Sequence, residues 1–374
     1  MKIALVTYGF SEYCIRQANA MARDHDVLLM MPDHAAASFA PLIEPYVQLR
    51  TFHRPRLRQP WRQFRSIQRT LRDIDSFAPD VVHYQHGHMW FNLALPRLRR
   101  YPLVITIHDP RHHAGDRYSR KTPQAMMDYG FRQADRVIVH GENLIEPVEK
   151  EVGIDRQRIH VIPHVAIGDG VHAHPKGHPE VAEDPHEVLF FGRIWKYKGL
   201  SYLIRAEPLI AAEVPQVHFT IAGRGDDMQQ YRGQMVHPQR FTIHNGWIDD
   251  ADRPAFFQRA AVVVLPYIEA TQSGVVPVAY TYAKPVVATR VGGLPECVEH
   301  EVTGLLVPPR NERALADAVI RLLCDNELRH RMGQQGRQKL QRECAPQVVA
   351  EQNVAVYQRA REDFVRRSKV AVGA

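Results

Sequence analysis

The feature that most constrains this chain is an alternation of short apolar runs with amphipathic stretches, which runs through one half, stops, and starts again. In the first half the apolar runs fall at 3–6, 26–31, 80–83, 103–107, 136–140 and 159–162. The second series falls at 187–191, 217–222, 241–244, 261–265, 285–288 and 304–307. Strand-like runs separated by helical stretches are the signature of parallel α/β layers. Between the two series lies Gly168-Asp-Gly-Val-His-Ala-His-Pro-Lys-Gly-His-Pro179, rich in glycine, proline and histidine and without periodicity, which reads as a linker. With 374 residues the chain is long enough for two domains, each burying its own core. The expected divisions are a first α/β domain over 1–167, a linker over 168–186, a second α/β domain over 187–345 and a terminal helix over 346–374. That helix is expected to pack back toward the first domain. No repeat of 20 to 50 residues is present, which disfavours a solenoid.

Composition removes several classes. Apolar residues make up 45% and charged residues 24%, an ordinary globular balance. The longest purely apolar stretch, Ala260 to Leu265, falls far short of the roughly 20 residues of a membrane span. The start of the chain carries no signal-peptide pattern, so a cytoplasmic location is expected. Four cysteines lie far apart without a C-x-x-C pair, which suggests neither a disulfide framework nor a zinc knuckle.

The net charge is +7, and eight arginines fall between Arg50 and Arg72 with no carboxylate among them. The stretch 61–74 has helical spacing, with Phe64, Ile67, Leu71 and Ile74 expected on one face and Arg62, Arg65, Arg69 and Arg72 on the other. Such a stripe is either a solvated helix face or a patch for anionic lipid or an acidic substrate.

Two segments carry chemistry. The first is Gly192-Arg193-Ile-Trp-Lys196-Tyr-Lys198-Gly199, directly after an apolar run and before a helical one. Ligands of open α/β sheets bind beyond the carboxyl ends of strands. Arginine offers a planar fork to phosphate oxygens, lysine a point charge, and glycine a close backbone approach, so this is a candidate diphosphate clamp; the alternative is a solvated basic loop. The second is Leu265-Pro-Tyr-Ile-Glu269-Ala-Thr-Gln-Ser273-Gly274-Val275. Here Ser273 is expected to cap a helix, leaving N–H groups for an anion. Glu269 can accept hydrogen bonds from sugar hydroxyls, or serve only as an electrostatic cap.

Together these segments resemble the donor half of the GT-B glycosyltransferases, specifically the retaining, nucleotide-sugar-dependent family 4. Gly192-Arg193 with Lys198-Gly199 is similar to the family's G-R-x4-K-G signature. Lys284-Pro285 through Gly292-Gly293-Leu-Pro-Glu296 and Gly304 to Pro308 are similar to its downstream block, while Ala134 to Val139 and Val161 to Pro163 resemble the close of its first domain. The resemblance implies a GT-B fold, two Rossmann-like domains facing across a cleft. It assigns the donor diphosphate to Arg193 and Lys198, the transferred sugar's hydroxyls to Glu269, and phosphate and sugar contacts to the backbone of Ser273, Gly274 and Val275. Gly192 and Gly225 would lie at the donor, and the Gly246-Trp-Ile248-Asp-Asp250 segment near the nucleotide, with Ile248 against the base. Thr106-Ile-His108-Asp109 resembles the family's T-x-H-[DE] segment, so His108 would face the reacting sugar; a lone strand-end histidine is otherwise structural.

Two positions depart from the family. Pro277 stands where a second glutamate usually holds the ribose, so that contact must differ. The glycine pair after the first strand is reduced to Gly9-Phe10-Ser11. Asp226-Asp227 and the histidines at 83, 86, 88, 112 and 113 are not read as metal ligands. No cofactor and no metal are expected. The implied activity is retaining transfer of a sugar from a nucleoside diphosphate sugar to a hydroxyl acceptor, in surface polysaccharide or glycolipid synthesis. A lipid-linked acceptor and peripheral contact with an anionic inner membrane face belong to the same expectation, and no nucleic acid partner does. The alternatives are a nucleotide-sugar 2-epimerase on the same scaffold and a catalytically idle sugar-nucleotide binding subunit.

Overall fold

The computed structural model describes residues 1–85, 87–112, 122–167, 181–249 and 251–372, with side chains described through Arg367. The chain divides into two compact units. Of the described residues, the first takes in 1–112, 122–165 and those from Glu343 onward, and the second those between Ala166 and Arg342.

The first unit holds β1 (Lys2–Val6), β2 (Asp26–Pro32), β3 (Gln48–Phe52), β4 (Val81–Tyr84), β5 (Leu103–Thr106), β6 (Arg136–Val139) and β7 (Ile159–Val161) in the order β3-β2-β1-β4-β5-β6-β7. The second holds β8 (Glu187–Phe191), β9 (His218–Gly223), β10 (Phe241–Asn245), β11 (Val262–Leu265), β12 (Val286–Thr289) and β13 (Gly304–Val307) in the order β10-β9-β8-β11-β12-β13. Every pairing among these strands is parallel. Central strands covered on both faces need apolar residues throughout, and β4, β5, β11 and β12 are buried at every position. The strand absent from the sequence reading is β3, an edge strand of exposed and half-buried residues ending at buried Phe52, whose Arg50 and Thr51 interrupt any apolar run.

Strand order reverses between β1 and β4 in one sheet and between β8 and β11 in the other. At such a switch point the connections leave in opposite directions and open a crevice beyond the strands' carboxyl ends. The segment 192–199 follows β8 and the segment 266–274 follows β11, so both chemistry-bearing stretches flank the switch point of the second sheet.

The helix Pro60–Phe77 begins with proline, whose fixed φ suits a first helical position, and ends at Ala78 in the left-handed region. Its buried stripe is Gln63, Ile67, Thr70, Leu71, Ile74 and Phe77. This corrects the expected face: Phe64 is 54% exposed, and Trp61 is 79% exposed. The core contact is centred one position earlier, and Gln63 joins it because its amide donates to the Pro55 carbonyl (2.8 Å).

The terminal helix Pro346–Val372 packs on the helix Ser11–Met21 within the first unit. Tyr357 reaches the core of that unit, where His83 Nδ1 lies 2.5 Å from its hydroxyl and His83 Nε2 lies 2.8 Å from Thr106 Oγ1. Burial lowers the His83 pKa to about 3, so the ring bridges helix and sheet as a neutral group. Of the segment expected as linker, residues 168–180 lie outside the described residues. The remainder is held on the second unit, where Glu183 pairs with Lys284 (2.5 Å) and Arg329 (3.1 Å).

Candidate active site

Close backbone approaches assemble the loops of the second unit. Gly223, at the end of β9, has φ +149°, and a Cβ there would stand 1.7 Å from the Gly192 carbonyl oxygen. Gly199 has φ +70°, and its Cβ would stand 1.8 Å from the Pro266 carbonyl oxygen. Only glycine permits both contacts. Around them, the Gly192 N–H donates to Ala222 O (2.9 Å), Ile194 N–H to Arg224 O (3.0 Å) and Ile268 N–H to Tyr197 O (2.7 Å). Ile194 also forms a parallel bridge with Gly225. The Gly192–Gly199 segment is thus stitched to the ends of both β9 and β11.

This frame holds the two cations differently. Arg193 is exposed, with its guanidinium carbon 4.3 Å from the centre of the nearly buried Trp195 ring. Lys198 is only 9% exposed, and its ammonium sits 3.7 Å from the centre of the Tyr267 ring. An ammonium over an aromatic face is attracted by the ring quadrupole, the more so when desolvated. Tyr267 is itself buried, which pushes its phenol pKa up and keeps it neutral, and its hydroxyl lies 3.2 Å from Ser273 Oγ. Tyr267 therefore connects Lys198 to the start of the helix Val275–Thr281. Sequence reasoning missed both supports: Trp195, two residues from Arg193, was visible in the sequence, whereas Tyr267 reaches Lys198 only through the approach of the β8 and β11 loops.

On the β11 side Glu269 is exposed, and Ser273 is 6% exposed. The capping expectation is corrected here: the helix cap is Gly274, and Ser273 lies one residue before it. Ser273 Oγ accepts from the Val275 N–H (3.3 Å), so that donor is already engaged. Pro277 is buried within this helix and offers no side-chain acceptor at the position of the missing glutamate. Ile248 is half-buried beside Trp247, which is 74% exposed; Asp250 lies outside the described residues. Asp226 and Asp227 have structural partners, Tyr231 and the Gln229 N–H.

In the first unit the strand-end positions after β5, β6 and β7 bring His108, His140 and His164 together. His108 Nδ1 lies 3.2 Å from His140 Nε2, and His140 Nδ1 lies 2.9 Å from the Ile162 carbonyl oxygen. Phe10, in the left-handed region at φ 56°, stacks on His108 with ring centres 3.8 Å apart. Tyr13 approaches His108, His140 and His164 within 5.3 Å between ring centres. Burial lowers the His140 pKa to about 3, with the charge of His164 a smaller cause. The sequence placed His108 in a site but gave no signal for His140 and His164, because their meeting depends on the order β5-β6-β7.

Among the described residues one group has metal-ligand geometry: Asp184, Glu187 and His218. It lies at the amino ends of β8 and β9, opposite the loops just described, and Arg259 Nε already stands 2.5 Å from Glu187. His83, partnered by Tyr357, Thr106 and Gln85, and His88, stacked on Tyr8 with ring centres 4.3 Å apart, belong to the core of the first unit.

Comparison with known proteins agrees with this arrangement. Residues 8–165 match the family described as Glycosyltransferase Family 4, and residues 185–325 match Glycosyl transferases group 1. An α-D-kanosaminyltransferase of Streptomyces kanamyceticus is 29% identical over 64% of this chain and 66% of its own length. A phosphatidyl-myo-inositol mannosyltransferase of Mycobacterium leprae is 33% identical over 53% of this chain and 52% of its own. The chain thus spans between half and two thirds of these two relatives. Among solved structures, sucrose-phosphate synthase of Thermosynechococcus elongatus has a TM-score of 0.71 at 20% identity, covering 96% of this chain and 98% of its own. HepE of Anabaena, solved with UDP, has a TM-score of 0.71 at 17% identity, covering 96% of this chain and all of its own (100%). Two parallel sheets with their switch-point loops, and family matches over both halves, lead to one conclusion: the chain belongs to the GT-B glycosyltransferases, with a family 4 first half and a group 1 second half.

Proposed function

We propose that this chain transfers a sugar, with retention, from a nucleoside diphosphate sugar to a hydroxyl acceptor. The observation that carries the reading is the placement of Arg193, Lys198 and Glu269 on the two loops flanking the β8/β11 switch point. As the glycosidic bond breaks, negative charge grows on the leaving diphosphate. Arg193 and Lys198 then act more strongly in the transition state than in the ground state, which is what accelerates a reaction. Glu269 accepts hydroxyls of the transferred sugar, and His108 of the first unit takes the family's role toward that sugar. Charge stabilisation is assigned to side chains and no step to a metal, so turnover is expected to survive a chelator. The epimerase and idle-subunit alternatives are not favoured, because the relatives are named as transferases.

The acceptor is proposed to be lipid-linked, as the name of the mannosyltransferase relative indicates for that protein. On this chain the support is the exposed Arg62, Arg65, Arg69 and Arg72 beside exposed Trp61 and Phe64 on the helix Pro60–Phe77. Arginines attract anionic headgroups, and aromatic rings settle at the headgroup level. We place the enzyme peripherally at the cytoplasmic membrane face, in surface polysaccharide or glycolipid synthesis.

The test is incubation with UDP-, GDP- and ADP-sugars, with and without candidate glycolipid acceptors, followed by product mass. A product heavier by one sugar supports transfer, and an isomerised donor of unchanged mass would support the epimerase. Failure of every donor to be transferred or slowly hydrolysed would support the idle subunit.

A further inference from the structure

Three side chains with ligand atoms converge at the amino ends of β8 and β9, within the second unit and opposite its chemistry-bearing loops. Glu187 opens β8 and His218 opens β9, and the parallel register sets the two residues side by side. The turn leading into β8 adds Asp184, whose Oδ1 accepts from the His186 N–H (3.0 Å) while Oδ2 faces the histidine. His218 Nε2 lies 3.3 Å from Asp184 Oδ2 and 3.5 Å from Glu187 Oε2. Both His218 Nε2 and Glu187 Oε2 are buried atoms without a hydrogen bond, and Glu187 is 1% exposed. Arg259 Nε stands 2.5 Å from Glu187 Oε2 but lacks the alignment of a hydrogen bond, and its side chain is 55% exposed. Buried polar atoms left in this way call for a partner.

A metal ion meets that need. Tetrahedral zinc, with bonds of about 2.0–2.1 Å, sets its ligand atoms roughly 3.3–3.4 Å apart. The two separations from His218 Nε2 fit this spacing, and all three ligand atoms lie within 4.8 Å of one another. An imidazole ligand favours a transition metal over magnesium or calcium. The His186 N–H on Asp184 Oδ1 is the kind of outer contact that orients a ligating carboxylate.

We infer that Asp184, Glu187 and His218 bind zinc, and that the metal competes with the Arg259 guanidinium for the two carboxylates. Arg259, already half in solvent, turns outward as the metal enters. Three protein ligands leave the fourth position to water. The metal then ties the turn that enters the second unit to the first residues of two strands. It takes no part in sugar transfer.

The experiment titrates zinc chloride into the full-length chain, stripped beforehand with a chelator, and follows it by calorimetry. Wild type is expected to bind one equivalent that His218→Ala and Asp184→Asn each weaken by at least about tenfold. Arg259→Ala should bind about tenfold tighter or more, because the competing charge is gone. The sequence also carries His172, His174 and His178, so a variant with all three changed to alanine is titrated as well, and it should keep the site. X-ray absorption at the zinc edge should show a nitrogen and oxygen shell at about 2.0 Å with one imidazole. At about 100-fold excess of free zinc over Kd, the wild-type Tm should rise by roughly 5–10 °C. Equal binding by wild type and His218→Ala overturns the inference, as does loss of binding in the triple variant or its absence from wild type. Binding by Arg259→Ala alone overturns it too, since Arg259 then holds the carboxylates against the metal. Should His218→Ala not fold, the wild-type absorption spectrum decides: two or more imidazoles place the zinc elsewhere. Binding and melting are the readouts, so failure of the proposed transfer leaves this test intact.

Discussion

Gly223→Ala is the sharpest structural perturbation available, because it replaces one hydrogen by a methyl group at a single point and its consequence can be worked out. The new Cβ would stand 1.7 Å from the Gly192 carbonyl oxygen and 2.6 Å from its carbon, where real Cβ contacts do not fall under 3.0 Å. The ends of β8 and β9 must separate by more than an ångström (roughly the gap between those two oxygen distances), and alanine disfavours φ +149° as well. Separation strains the bonds from Gly192 N–H to Ala222 O and from Gly246 N–H to Gly223 O, 2.9 and 3.0 Å long. At about 1 kcal/mol for each bond and about 2 kcal/mol for the backbone, the cost is about 4 kcal/mol. For a unit of this size that corresponds to a fall of roughly 8–16 °C in Tm. The same shift carries Arg193 away from its position, and a displacement of about 1 Å can cost about 10²-fold in rate. The assay pairs thermal unfolding with nucleoside diphosphate release. Gly233→Ala is the control, since nothing lies within 4 Å of a Cβ there. Wild-type melting and turnover in Gly223→Ala would refute the argument that this contact builds the site.

Glu269→Gln keeps the shape but not the charge, so sugar transfer should fall while calorimetric binding of the bare nucleoside diphosphate stays near wild type; equal loss of both would place Glu269 on the nucleotide instead. His83 and His140 each have a folded pKa of about 3 against an ordinary 6.5, so the unfolded chain takes up protons that the folded chain refuses. Their contribution is complete above pH 6.5 and is lost as pH falls toward 3, at about 1.4 kcal/mol per pH unit for each ring; denaturant unfolding across that window should show a shallower slope in His83→Asn. Wild-type protein should co-sediment with anionic vesicles at low salt and be released at high salt, and changing Arg62, Arg65, Arg69 and Arg72 to glutamine should abolish pelleting. Equal pelleting of the variant would reduce the stripe to a solvated helix face.

The central strands were legible because burial on both faces forces unbroken apolar runs such as Val262-Val-Val-Leu265. The same logic hides β3, whose edge position lets polar residues alternate with Leu49. Helix spacing located Ile67, Leu71 and Ile74 correctly but could not show that Gln63, paired with a loop carbonyl, would displace Phe64 from the core. In the candidate site, Arg193 and Lys198 were readable from type and spacing. Their aromatic supports require the approach of the β8 and β11 loops, and His140 requires the strand order.

The most direct test of the central claim is titration of UDP, GDP and ADP into wild-type protein and into Arg193→Ala and Lys198→Ala, read as the shift in melting temperature. A ligand that binds only the folded state raises Tm by an amount that grows with the logarithm of its concentration over Kd. The account predicts that at least one nucleoside diphosphate raises Tm in the wild type, with the corresponding nucleoside giving little. Each variant should melt close to wild type without ligand and lose most of that shift. Equal stabilisation of wild type and both variants by the same nucleoside diphosphate would contradict the placement of the diphosphate at the β8/β11 switch point.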